Sequence, residues 1–188
     1  MSSSETEIAN SALAKIRGRQ ILSFDDNSVE ARTVRGLYHP LRKKLLRSHP
    51  WNFAIKRAEL ALLTEEPPYG RGNFFQVPAD CLRILETTIP EEYDWTLEGD
   101  RILVDRPATS IRYIYDVTDC SRFDSYFCEV LAYSLAAEMA MTITNGATIA
   151  ATLRQALKEE LAQARSFDAQ EGGSIRQVTA SSWINARY

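Results

Sequence analysis

Cysteine, histidine and long apolar runs are all scarce in this chain, and each shortage removes a class of function. The 188 residues contain three cysteines, Cys81, Cys120 and Cys128. They are odd in number and widely spaced, with no Cys-x-x-Cys pair and no nearby histidine to complete a metal site. They read as reduced, small core side chains, and no cofactor is expected. The two histidines, His39 and His49, each precede a proline, and neither has a nucleophile and an orienting acid beside it in the sequence. Helix-end hydrogen bonding or exposure is the expectation for both. A surplus of one charge is also missing: 22 basic residues against 25 acidic give a net charge of -3. Bulk attraction therefore does not favour nucleic acid. No stretch approaches the ~18 continuous apolar residues of a membrane span. The opening MSSSETEIAN has no basic region leading into an apolar one. The expectation is a soluble protein made inside the cell, without a membrane partner.

What is present is enough apolar residue, 45% of the chain, to bury a sizeable core. Ser4 followed by Glu7 has the spacing of a capping box, and Ile8, Ala12, Leu13 and Ile16 then line one helical face up to Gly18. Asn27 with Glu30 signals a second helix, in which Val29, Val34, Leu37, Tyr38, Leu41 and Leu45 follow at helical intervals, with the Arg42-Lys43-Lys44 run largely on the other side. Because the apolar spacing continues past Pro40, that proline predicts a kink. Pro50 is different, because the pattern does not resume after it, and it predicts a stop.

After the stop, RSHPWNFAIKR (47–57) loses helical character, and residues 51–118 read as a mostly antiparallel β module. Its clearest hairpin is DWTLEGDRILVD, turning at Gly99-Asp100. The stretch SIRYIYDV alternates, with Ile111, Tyr113 and Tyr115 on one side and Arg112, Ile114 and Asp116 on the other. Helix is predicted to return at about Ser121. Asn145-Gly146 breaks it, and a fourth helix follows with Ile149, Leu153, Ala156, Leu157, Leu161 and Ala164 inward. The predicted fold is α+β: an antiparallel four-helix bundle (1–50 and 119–170) with a β-rich insertion (51–118) between helices 2 and 3. A C-terminal tail (171–188) carries Trp183, Ile184 and Tyr188 without enough apolar neighbours for a core of its own; such exposed aromatics point to a docking tail, the alternative being that it folds back onto its own bundle.

Two groups of residues are singled out within that fold. Pro50, Trp51 and Phe53 form the joint between the bundle and the insertion, where the two aromatics wedge the root of the β module. Arg42, Lys43, Lys44 and Arg47 make the one basic run, open to DNA or interface contact, or else a solvated helix face near a C-terminus.

Three words in order, LLRSHPWNFA, VPADCLR and SSWINAR, carry a resemblance to the tail tubular protein A family of short-tailed bacteriophages, head-to-tail adaptors. The resemblance covers nearly the whole chain. It implies a structural protein without enzymatic activity. Such a protein forms a homo-oligomeric ring, dodecameric in the family, in the virion between the portal protein and the tail nozzle protein. Double-stranded DNA passes through the lumen for retention and ejection, unread. The resemblance also implies that Trp183, Ile184, Arg187 and Tyr188 dock on the portal or on a neighbouring copy. The residues themselves leave open a DNA-binding module using 42–47 and a tail-associated enzyme.

Overall fold

A computed structural model describes residues 4–144 and 146–171. The order is α1 (Glu5–Lys15), α2 (Val29–Ser48), seven strands, α3 (Ser125–Thr144) and α4 (Ala147–Glu171). The strands β1 (Ile55–Glu59), β2 (Ala61–Leu62), β3 (Asn73–Gln76), β4 (Cys81–Thr87), β5 (Trp95–Glu98), β6 (Arg101–Val104) and β7 (Ser110–Tyr115) lie between α2 and α3. They make two antiparallel sheets, ordered β1-β7-β4 and β2-β3-β6-β5.

Local chemistry sets the ends of these elements. At α1 the Ser4 hydroxyl accepts the Glu7 N–H, and the Glu7 carboxylate accepts the Ser4 N–H, closing the capping box. The same helix ends in a Schellman turn, with the Gly18 N–H on the Leu13 carbonyl and the Arg17 N–H on that of Ala14. Its left-handed residue is Arg17, φ 56°, one position before the glycine that marks the stop in the sequence. The N-cap of α2 is Ser28, whose hydroxyl accepts the Ala31 N–H, rather than Asn27. This helix runs on through Pro40. Pro40 and Gly36, whose carbonyl loses its donor, are both exposed, so the missing bond falls on the solvent side, where it costs least. Pro50 is a true stop: α2 ends at Ser48, and His49 is extended.

The expectation of a four-helix bundle is overturned. The helices do not surround one shared axis; α1, α2 and α4 each pack on α3, while α1 and α2 meet only marginally. Two physical reasons stand out. Eleven residues make α1 about 17 Å long, too short to line helices of 20 and 25 residues. Along its length α4 buries only Ala150, Leu153 and Ala164, while Leu157 and Leu161 are half-buried and Ile149, expected inward, is exposed. A stripe so rich in alanine grips one neighbour and not two. By contrast α3 buries Phe127, Val130, Leu131, Ala132, Leu135, Ala136, Ala137, Met139 and Ala140, apolar on all sides because it is central. It is long and apolar enough to cross a membrane by composition, yet half of that window is buried inside the protein.

The start of α3 also differs from the expectation at Ser121. A short 3-10 turn at Cys120–Arg122 comes first, and the helix begins at Ser125, where the Asp124 carboxylate accepts the Tyr126 N–H. In β7 the alternation is blurred because this central strand buries Ile114 as well as Ile111, Tyr113 and Tyr115. One continuous core runs from α1 through α3 into the second sheet, ending at Phe75, Ile102 and Val104.

Candidate functional site

The joint after Pro50 is built from the end of α2 outward. Trp51 is fully buried, and its indole N–H donates to the Leu45 carbonyl at 3.2 Å, satisfying a backbone acceptor near the end of α2. Its ring meets Phe127 of α3 edge-on at 5.2 Å and His49 at 4.8 Å. Phe53, in the 3-10 turn Asn52–Ala54, lies 5.1 Å from Phe127 and 5.8 Å from Phe123. Each such pair contributes about 0.5–1.5 kcal/mol beyond its area burial. Five aromatic rings from two stretches of chain, 49–53 and 123–127, therefore meet where the chain leaves α2 for β1.

Asp168, near the end of α4, locks the outside of this joint. Its carboxylate accepts the Asn52 N–H at 2.9 Å and lies 2.9 Å from His49 Nε2, and its carbonyl accepts the Asn52 side-chain amide. Nothing in the sequence signalled this residue, because its partners lie 116 and 119 positions away. Among the described residues His39 makes no comparable contact; it is exposed and packs edge-on against Tyr38 at 5.4 Å.

The basic run divides. Arg42 is 2% exposed, contrary to its expected place on the outer side; its guanidinium is 2.8 Å from the Asp116 carboxylate and also donates to the Val117 carbonyl. Burial there is tolerable only because the charge is paired. Lys43 reaches the same carboxylate at 3.2 Å. Arg47 donates to the Leu82 carbonyl of β4, and Arg83 returns a hydrogen bond to the Arg47 carbonyl. Lys44 is exposed and makes no ion pair among the described residues. Three of the four cations thus tie α2 to the β module and its exit.

A third lock is the turn Pro78-Ala79-Asp80. The Asp80 carboxylate accepts from Lys56 at 2.8 Å and from the Tyr113 hydroxyl at 3.1 Å, and its carbonyl accepts the Asp116 N–H. Burial acts to raise the Asp80 carboxyl, but the hydrogen bonds from Lys56 and Tyr113 outweigh it and hold the group below its ordinary range. Tyr113 is pushed up to about 12, by burial first and then by its bond to Asp80. Burial likewise raises the Cys81 and Cys120 thiols, the opposite of an activated nucleophile. Cys120 instead contacts the Tyr38 hydroxyl at 3.3 Å.

Among the described residues no group of three or more His, Cys, Asp or Glu side chains is placed to hold a metal ion. An apolar groove of about 170 Å³ runs between α2 and α4 over α3, lined by Leu41, Leu45, Leu157 and Leu161 with Lys44 and Arg165 at its rim. Trp183, Ile184, Arg187 and Tyr188 lie outside the described residues. No family model matches this chain, and no curated protein matches it.

Proposed function

We propose that this chain is a structural head-to-tail adaptor of a short-tailed bacteriophage, forming a ring between portal and tail nozzle through which DNA passes unread. The observation that carries the reading is where the resembling words fall. LLRSHPWNFA is the aromatic joint, and VPADCLR is the turn locked by Asp80 to Lys56 and Tyr113. The first fixes the angle at which the chain leaves the helices. The second ties β4 to α2 where Leu82 and Arg83 bond with Arg47, and its Asp80 holds β1, β7 and the turn together, as a ring subunit requires. A closed ring repeats any angular error in one subunit around the whole circle. The modest net charge suits a lumen that must not retain DNA.

The competing DNA-binding reading loses support from the basic run itself, since Arg42 is buried and Lys43 and Arg47 are engaged. Electron microscopy of the protein mixed with purified portal tests the proposal. A ring stacked coaxially on the portal is expected, and deletion of 172–188 should abolish attachment while leaving the circular dichroism of the subunit unchanged. Normal attachment of the truncated protein would remove the docking role of Trp183, Ile184, Arg187 and Tyr188. Absence of any ring on the portal would remove the adaptor reading.

A further inference from the structure

The two sheets leave four outer edges, and three of them carry devices that prevent another strand from pairing. β1 presents Lys56 and Arg57, and β2 is only two residues long. β4 is interrupted by register shifts and covered where Arg47 donates to the Leu82 carbonyl. β5 has none of these. Trp95, Thr96, Leu97 and Glu98 include no Lys, Arg or Pro, and they pair in unbroken register with β6 on one side and with no described strand on the other.

Hairpin geometry says which groups of β5 are free. The turn is two residues long, with Gly99 at φ 65°. In such a hairpin the flanking pair, Glu98 and Arg101, exchanges hydrogen bonds, and the pattern then alternates along the ladder. Thr96 and Glu98 therefore aim their N–H and C=O groups at β6, while Trp95 and Leu97 aim theirs outward. The side chains of Trp95 and Leu97 share a face with the buried Val104 and Ile102, but are themselves 40% and 54% exposed. They border a groove of about 490 Å³ between β5 and β4, lined on its far side by Leu82 and Ile84. An added strand would satisfy the outward backbone and cover both side chains.

Charge selects the occupant. Residues 91–100 hold five carboxylates, Glu91, Glu92, Asp94, Glu98 and Asp100, and no basic residue. Among the described residues only Asp100 forms an ion pair, 3.8 Å from Arg101; Arg71 borders the same pocket as Glu92 and Asp94 without pairing to either. The cations across the groove, Arg47 and Arg83, are turned to the carbonyls of Leu82 and Arg47.

We propose that β5 is a strand-addition site for an extended, cationic segment of a partner protein, with apolar side chains at alternate positions. The site requires neither a ring nor a portal. The test uses the full chain and, as probe, a capped peptide Arg-Val-Arg-Ile-Arg-Val-Arg. Amide exchange of Trp95 and Leu97 should slow about tenfold on adding the probe, while Thr96 and Glu98 stay unchanged. The matching peptide with Glu in place of Arg should give no protection. Leu97→Lys, which installs an edge charge at an exposed position, should weaken binding about tenfold. Should that variant unfold, Glu92→Gln with Asp94→Asn changes loop charge only and should weaken binding by about the same factor. Protection confined to β1, equal binding of the acidic peptide, or undiminished binding by both variants would overturn the proposal. So would protection of Trp95 and Leu97 in the probe-free chain together with dimers in sedimentation, which would make the occupant a second copy.

Discussion

Replacing Trp51 separates its roles as a filler of the joint and as a cap on α2. Trp51→Ala removes a fully buried indole from contact with Phe127, Phe53 and His49, a change that typically costs about 3–5 kcal/mol. Trp51→Phe keeps a ring for the edge contacts and loses the N–H to the Leu45 carbonyl. That carbonyl also accepts the Ser48 hydroxyl at 2.8 Å, so it is not left without a partner. The hydrogen-bond loss then sits at the low end, about 0.5–1 kcal/mol, and the smaller ring adds about 1 kcal/mol of lost packing. The expected order is wild type, then Trp51→Phe about 1.5–2 kcal/mol lower, then Trp51→Ala about 3–5 kcal/mol lower. Against a total of about 5–15 kcal/mol for a chain of this kind, the alanine variant sits near the edge of folding. Urea unfolding with unchanged slope measures this directly. Equal losses for the two variants, or a loss under about 1 kcal/mol for alanine, would refute the reasoning that ring packing holds the joint.

Asp116→Ala should cost about 3–5 kcal/mol by urea unfolding, because it leaves the Arg42 cation buried beside one carbonyl; Arg42→Met with Asp116→Asn should restore most of that loss. A loss below about 1 kcal/mol would show that water reaches the pair. Asp168→Ala should cost about 1–2 kcal/mol and speed amide exchange specifically in residues 165–171, where α4 loses its hold on Asn52 and His49. Asp80 has a folded-state pKa below its unfolded value of 3.8, so its contribution is complete above that value and is lost as pH falls through the lower, folded one. Asp80→Asn should therefore flatten the fall in stability measured from about pH 5 to pH 2, and an identical slope would show that the lock contributes nothing.

What the sequence revealed and what it concealed divide by range. Ser4 with Glu7, the hairpin turn at Gly99-Asp100 and the stop at Pro50 are decided within a few residues of themselves, and all three are found in place. The sequence suggests a bundle because helical spacing shows that a face is apolar without showing how many neighbours share it. In α4 the small side chains of Ala150 and Ala164 suffice for α3 and leave Ile149 outside. The inner place of Arg42 is hidden for a related reason: a cation there is stable only through Asp116, whose distance along the chain conceals the pairing. Asp168 and Asp80 were legible as acids and not as locks, since their partners are brought to them by the fold.

The position of α3 as the common support has a consequence for how the chain is made. The support is encoded late, from Ser125, after the helices that rest on it have been synthesised. At about 5–20 residues per second, α1 and α2 wait on the order of ten seconds before their buried faces have anything to rest on. During that interval the β2-β3-β6-β5 sheet can form, while β1 and β4 wait for β7, their shared partner, which is made only just before α3. The helical layer and the β1-β7-β4 sheet are thus completed almost together, each by a central element, α3 and β7, that the ribosome delivers late.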